Sequence, residues 1–162
     1  MARDWTSFEL SIAVRAEMQD IYDAWTKAER VQEWFLEQCV YLRDDAPLPA
    51  NESVLANDTY AWRWFFYPET EYGTIQQANG RDFVQFTFAG DCLVDVQLKQ
   101  ADAYTVVTLR QHNVPTDEAS QFNIRIGCTQ GWTFYLANLK SVYENGYDLR
   151  NKTHPDLLGV NN

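Results

Sequence analysis

The chain has 162 residues, a length that fits one domain with a sizeable buried core. Hydrophobic residues make up 46% and aromatic residues 15%, which excludes an intrinsically disordered chain. Lys and Arg number 13 against 23 Asp and Glu, and the resulting net charge of -10 opposes nonspecific binding to nucleic acid or to anionic lipid. We therefore expect neither a nucleic acid nor a membrane among its partners.

The chain begins with a predicted strand and two short helices. Between residues 8 and 14, apolar and polar side chains alternate with the period of two that is typical of a half-buried strand. Residues 18–25 carry apolar side chains at i, i+3, i+4 and i+7, which predicts one face of a helix. Residues 31–35 repeat that pattern, with Thr26 as a candidate N-cap ahead of Glu29. Both helices are too short to be stable alone, so we expect them to pack on the sheet.

Six further strands are predicted in the middle of the chain. The segment 43–58 contains Pro47 and Pro49 and is predicted to be mainly a loop, which is long for a compact domain. Asn79-Gly80 and Gly90-Asp91 are typical of tight turns, so the closely spaced strands predict an antiparallel meander. The predicted strands are residues 40–42, 60–66, 72–76, 83–88, 93–98 and 104–111.

A long helix is predicted within residues 120–145. Gly127 and Gly131 each disfavour the helix by about 1 kcal/mol relative to Ala, so we expect it to begin later than its apolar pattern does. Gly146 is a plausible terminator. Its apolar stripe consists of Ile124, Cys128, Trp132, Tyr135, Leu139 and Val142.

This order of elements predicts an α+β fold. An antiparallel sheet must bury one face, and one long helix and two short helices are available to cover it. We expect a curved antiparallel sheet of about six or seven strands wrapped around the C-terminal helix. We expect residues 1–150 to form a single domain and residues 151–162 to form a polar tail.

The chain resembles the START-like superfamily (SRPBCC), which has the helix-grip fold of birch-pollen-allergen-type proteins and polyketide cyclases. More narrowly, it resembles homologues of the C-terminal domain of the Hsp90 ATPase activator. The residues that carry the resemblance are 22–26, 34–35, 60–64, 73–75, 105–111, 131–140, 146 and 148–150, in that order. The resemblance implies a cavity between sheet and long helix that holds a small apolar ligand in many relatives. The eukaryotic activator has an additional N-terminal domain that is not in this sequence, so activation of a chaperone ATPase does not follow.

Aromatic strand faces are the strongest indication of a binding site. Alternate residues of three strands should point at the helix stripe, and aromatic rings with a few polar groups are typical of small-molecule sites. Gln111, in register with Leu109, is the sharpest polar candidate. The alternative is that the rings fill the core themselves. The candidate ligand-binding residues are Tyr60, Trp62, Trp64, Val84, Phe86, Leu109, Gln111, Cys128, Trp132 and Tyr135.

Catalytic and metal-binding signatures are missing from the sequence. Of the two histidines, His112 alternates away from Gln111 and His154 lies in the predicted tail, and neither belongs to a metal motif. There is no nucleophile elbow, triad layout or phosphate loop. We therefore predict no catalytic residue, no metal and no cofactor.

Cysteine usage and the N-terminus indicate the compartment. The three cysteines, Cys39, Cys92 and Cys128, lack CxxC spacing and fit free, buried thiols better than disulfides or zinc ligands. The first residues lack the apolar stretch of a signal peptide, and no apolar run approaches the roughly 20 residues of a membrane span. These features predict a cytoplasmic protein.

Three functions are compatible with these observations. The first is a non-catalytic binder of a small apolar or aromatic molecule. The second is a protein-interaction module, chaperone-associated or self-associating, working through exposed aromatics such as Trp5, Phe65 and Tyr67. The third is a cyclase- or aromatase-like enzyme, which would need a titratable group inside the pocket.

Overall fold

The computed structural model describes residues 3–160 and contains one antiparallel sheet packed against a long helix. The strands are β1 (Phe8–Val14), β2 (Gln38–Arg43), β3 (Ala46–Pro47), β4 (Thr59–Arg63), β5 (Glu71–Ala78), β6 (Phe83–Phe88), β7 (Cys92–Ala101) and β8 (Tyr104–His112). The helices are α1 (Met18–Thr26), α2 (Ala28–Val31), α3 (Glu118–Ser120) and α4 (Gly127–Asn145), with a π-helical segment (Gln121–Ile126) joining the last two. The α+β helix-grip fold is confirmed.

The sheet has eight strands in the order β1-β8-β7-β6-β5-β4-β2-β3, and every neighbouring pair is antiparallel. The strands from β4 to β8 form the predicted meander. The count exceeds the expected six or seven because the two-residue strand β3 pairs with the end of β2. It lies inside the segment that was predicted to be a loop, where Pro47 is tolerated on the edge of the sheet.

Ion pairs and backbone bonds hold the rest of the loop between β2 and β4. Arg43 donates to the buried carboxylate of Asp58 at 2.8–2.9 Å and to Glu52 at 2.6 Å. The Val54 amide donates to the carbonyl of Thr26, the last residue of α1. The loop is therefore held against the C-terminal end of α1.

One of the predictions about helix ends is wrong. Thr26 does not cap α2, because it is the last residue of α1 and its hydroxyl donates to the Tyr22 carbonyl at 2.8 Å. The long helix α4 begins at Gly127, later than its apolar pattern, as expected. Asp117 caps the short helix α3 that precedes it and accepts from the Ser120 amide at 3.0 Å. The predicted terminator Gly146 is confirmed, with φ 66°.

The core between sheet and helix is dominated by aromatic rings. Tyr60 and Trp62 stack with centroids 3.8 Å apart, and Phe86 meets Trp62 edge to face at 5.2 Å. From the helix side, Trp132 packs on Trp25 at 5.9 Å. Offset and edge contacts of this kind add about 0.5–1.5 kcal/mol per pair beyond the burial of apolar area.

The segment after α4 is fastened to the end of the fold beside α2. Arg150 is buried, and it donates to the carbonyls of Leu36 and Gln32 at 3.0 and 2.9 Å. It also pairs with Asp148 at 2.8 Å, and its guanidinium lies 5.4 Å from the Phe65 ring. Burial alone would raise the pKa of Asp148, but hydrogen bonds from Arg150 and Lys152 outweigh it and hold that pKa well below its usual range.

No helix within residues 3–160 combines the length and the apolar character that crossing a membrane requires.

Candidate functional site

A cleft of about 370 Å³ opens at the N-terminal end of α4. Its other walls come from the segment after α2, the segment after β4, the end of β6 and the C-terminal segment. Six of its thirteen lining residues are aromatic, and these are Phe35, Trp64, Tyr67, Phe88, Trp132 and Tyr135. The fold therefore contains both of the alternatives, a filled aromatic core and, at one end, an open space.

Two glycines on one face of α4 make room for the cleft. Gly127 and Gly131 both line it, and their spacing of four residues places them one turn apart. A Cβ added at Gly131 would meet no atom within 4 Å, and at Gly127 only the Phe122 carbonyl oxygen at 3.9 Å. Larger side chains here would occupy the space that the aromatic walls leave open.

The π-helical segment lies directly before these glycines and contributes Asn123 to the cleft. Its side chains are poorly packed, with Phe122 69% and Ile126 38% exposed. A π-turn adds one residue per turn and is frequent at functional sites in helices. The extra residue rotates the directions in which the following side chains point, next to the cleft. The sequence pattern did not predict this segment.

The side chains that line the cleft are uncharged near neutral pH. Among the described residues, the lining contains no Asp, Glu, Lys, Arg or His. Burial raises the pKa of Tyr135 and raises that of the Cys128 thiol to about 11, so both stay protonated. The polar groups that remain are amides and hydroxyls, which select for hydrogen bonding and shape rather than for charge.

The ten predicted ligand-binding residues separate into two groups. Four of them line the cleft, and these are Trp64, Cys128, Trp132 and Tyr135. Six lie in the packed core outside the cleft lining, each at most 2% exposed, and these are Tyr60, Trp62, Val84, Phe86, Leu109 and Gln111.

Gln111 faces inward as expected, but it does not line the cleft. It contacts Trp132, a lining residue, from the core side. It is fully buried, and its Oε1 accepts from the Trp132 indole Nε1 at 2.9 Å. Its amide also lies beside the thiols of Cys92 and Cys128, and this contact lowers their pKa by less than burial raises it. The hydrogen bond fixes the orientation of Trp132, which is buried in the core and also lines the cleft.

The remaining polar candidates lie elsewhere. His112 is on the outer face of β8, with its Nε2 3.0 Å from an Asp95 oxygen. Within residues 3–160 no three metal-ligating side chains come together. Cys39 and Cys92 are buried and Cys128 is half-buried, all as free thiols.

The sequence reasoning missed several lining residues. Tyr67 was considered only as a surface aromatic, and Gly159 and Val160 belong to the predicted polar tail. Gly127 and Gly131 were recognised only as weak helix formers. Their spacing of four residues, on the face that also carries Trp132 and Tyr135, was the signal available for finding them.

Residues 55–144 match the protein family described as activator of Hsp90 ATPase homolog 1-like protein. No curated protein sequence matches the chain.

Solved structures similar to this chain share its fold. One is a protein from Staphylococcus saprophyticus, with a TM-score of 0.71 and 18% identity over 89% of this chain and 96% of that one. Another is the Aha1 dimer from Colwellia psychrerythraea, with a TM-score of 0.69 and 17% identity over 86% of this chain and 97% of that one. A third is an Hsp90 activator from Plasmodium falciparum, with a TM-score of 0.62 and 14% identity over 85% of this chain and 95% of that one.

Proposed function

The chain belongs to the activator of Hsp90 ATPase homolog 1-like family, and we propose that it is a non-catalytic binding protein. Its ligand is a small, uncharged, apolar or aromatic molecule held in the cleft at the start of α4. The observation that carries the proposal is the open space of about 370 Å³ among six aromatic side chains. Ligand pockets commonly occupy about 300–1,000 Å³.

The chemistry of the walls supports an uncharged ligand. Flat rings such as Trp64 and Trp132 offer large contact areas, while the amides of Asn123 and Gln130 can bond to one polar group at the rim. A charged ligand would lose its hydration without finding an opposite charge in the described lining.

The same walls favour binding over catalysis. A cyclase-like reaction requires a general acid or base that titrates near the working pH. Cys128 and Tyr135 are the titratable groups of the lining whose pKa is raised by burial, and both stay protonated at neutral pH. Proton transfer to or from a bound molecule is therefore not supported by these side chains.

Filling the cleft is expected to weaken ligand binding strongly. We expect Gly131→Leu to weaken the binding of N-phenylnaphthylamine, an uncharged aromatic fluorophore, by at least about tenfold, because the new side chain projects into the open space. Fluorescence titration of the purified protein measures the effect.

The matched control is Gly131→Ala, which leaves most of the space open. This variant should bind the fluorophore as the unmodified protein does. If Gly131→Leu also bound it with unchanged affinity, the fluorophore would be bound outside the cleft and the proposal would be wrong.

A second candidate function is protein interaction, including self-association. Two structural neighbours carry the names Aha1 dimer and Hsp90 activator. In this chain Phe122 and Ile126 expose apolar surface on the π-helical segment. Trp5 and Phe65, two of the aromatics expected at an interface, are only half-exposed.

Self-association through this segment predicts a concentration-dependent mass. In sedimentation equilibrium, we expect Phe122→Ser to shift the chain towards the monomer, because it removes exposed apolar area from the contact. Tyr72→Ser removes a comparably exposed ring from β5 and is the control. Equal masses for both variants and the unmodified chain would contradict this second function.

A further inference from the structure

We propose that the C-terminal segment Pro155–Val160 caps the cleft, so that docking of this segment and binding of a ligand compete. The inference rests on the proposed function of the cleft and specifies how access to it is controlled. Gly159 and Val160 line the cleft together with the aromatic walls, although they lie 24 or more residues after Tyr135 in the chain.

The path of the tail is set by two anchors. Arg150 is fixed by its bonds to Leu36, Gln32 and Asp148. The next residue, Asn151, then closes a compact turn, because its side chain donates to the carbonyls of His154 and Leu157 at 2.9 and 3.0 Å.

The side-chain oxygen of Asn151 also stabilises this turn, as a hydrogen-bond acceptor. Asn151 Oδ1 accepts from the amides of Thr153 and His154 at 3.3 and 3.0 Å, and the Leu157 amide donates to the His154 carbonyl at 3.0 Å. One side chain thus organises the backbone that leads back to the cleft.

The tail buries little of its apolar surface against the cleft, so a ligand can displace it. Val160 remains 67% exposed even though it lines the cleft, so only part of its side chain is buried there. Leu157 and Leu158 are 66% and 51% exposed and do not line the cleft. Because the tail buries little apolar area, a small aromatic ligand that buries more can displace it.

Competition has a simple quantitative form. If the cleft is free in only a fraction of molecules, the apparent dissociation constant of a ligand increases by the inverse of that fraction. A tail that is docked in about two thirds of molecules would therefore weaken binding about threefold. Releasing the tail should recover this factor.

The Cys128 thiol reports on the cap without any ligand. This thiol lines the cleft and is half-buried, whereas Cys39 and Cys92 are buried in the core and act as internal controls. We expect deletion of residues 154–162, or Asn151→Ala in the full chain, to speed alkylation of Cys128 by iodoacetamide about threefold. Mass spectrometry of peptides measures each thiol separately at one fixed pH.

Binding of N-phenylnaphthylamine to the same variants gives the second readout, and it should tighten by a similar factor. Leu157→Ser is the matched control, since this exposed tail side chain does not line the cleft, and it should leave both readouts unchanged. An unchanged rate at Cys128 in both tail variants would overturn the inference.

The alkylation rate of Cys128 tests whether the tail covers the cleft, whereas fluorophore binding tests whether the cleft binds a ligand. Faster alkylation of Cys128 in a protein that binds no fluorophore would support the cap and refute the proposed function. Faster alkylation of Cys39 and Cys92 as well would indicate general unfolding instead, and would overturn the inference that the tail acts locally.

Discussion

Replacing Arg150 with Met is expected to lower the free energy of unfolding by about 3–5 kcal/mol, the cost of breaking a buried ion pair from one side. The Arg150 side chain is 2% exposed and that of Asp148 is 18% exposed. Removing the guanidinium leaves a largely buried carboxylate without its main partner, and it leaves the carbonyls of Leu36 and Gln32 without their donor. Urea unfolding, followed by tryptophan fluorescence, measures the change.

Lys152→Met provides the control for this prediction. Lys152 pairs with the same carboxylate at 3.0 Å, but its side chain is 44% exposed. A surface pair of this kind contributes at most about 1 kcal/mol. Equal losses in the two variants would show that burial of Arg150 is not what makes the contact strong.

Gly73→Ala is expected to destabilise the fold by about 1–3 kcal/mol, the usual cost of adding volume to a packed site. Gly73 on β5 lies directly opposite Tyr60 on β4, and the tyrosine ring covers it. A Cβ at Gly73 would fall well inside contact distance of that ring.

The ring cannot easily move away. Tyr60 is stacked on Trp62, and its hydroxyl reaches across β5 and donates to the Thr87 carbonyl on β6. Relief of the clash therefore requires breaking a hydrogen bond or disturbing the aromatic core.

The same substitution at Gly131 should have the opposite sign. Gly131→Ala adds a methyl group to open space inside a helix, which stabilises the helix by about 1 kcal/mol. Urea midpoints of the two alanine variants test both signs in one series. A Gly73→Ala variant that is as stable as the unmodified protein would contradict the packing described here.

The periodic parts of the sequence predicted the fold well. Alternation in β1 and the meander turns at Asn79-Gly80 and Gly90-Asp91 defined the sheet, and the apolar stripe of α4 defined the helix. The two-residue strand β3 was missed because its pairing depends on the end of β2, and Thr26 was misassigned because its hydroxyl bonds backwards within α1.

The site was harder to predict, because alternation identifies an inward side chain but not what lies opposite it. Trp62 and Trp64 are two residues apart, yet the first is core and the second lines the cleft. The difference arises because β4 ends at Arg63, and the next residues leave the sheet. The contribution of Val160 depends on a tail that returns across the fold, which local sequence patterns do not encode.

The central claim is that the cleft binds an uncharged aromatic molecule, and the indole signals of the tryptophans test it most directly. Trp64 and Trp132 line the cleft, whereas Trp25 and Trp34 are buried in the core outside its lining. When N-phenylnaphthylamine is added to the labelled full chain, we predict saturable chemical-shift changes at the indole N–H groups of Trp64 and Trp132 that exceed those of Trp25 and Trp34. The absence of any saturable change at Trp64 and Trp132 would contradict the account.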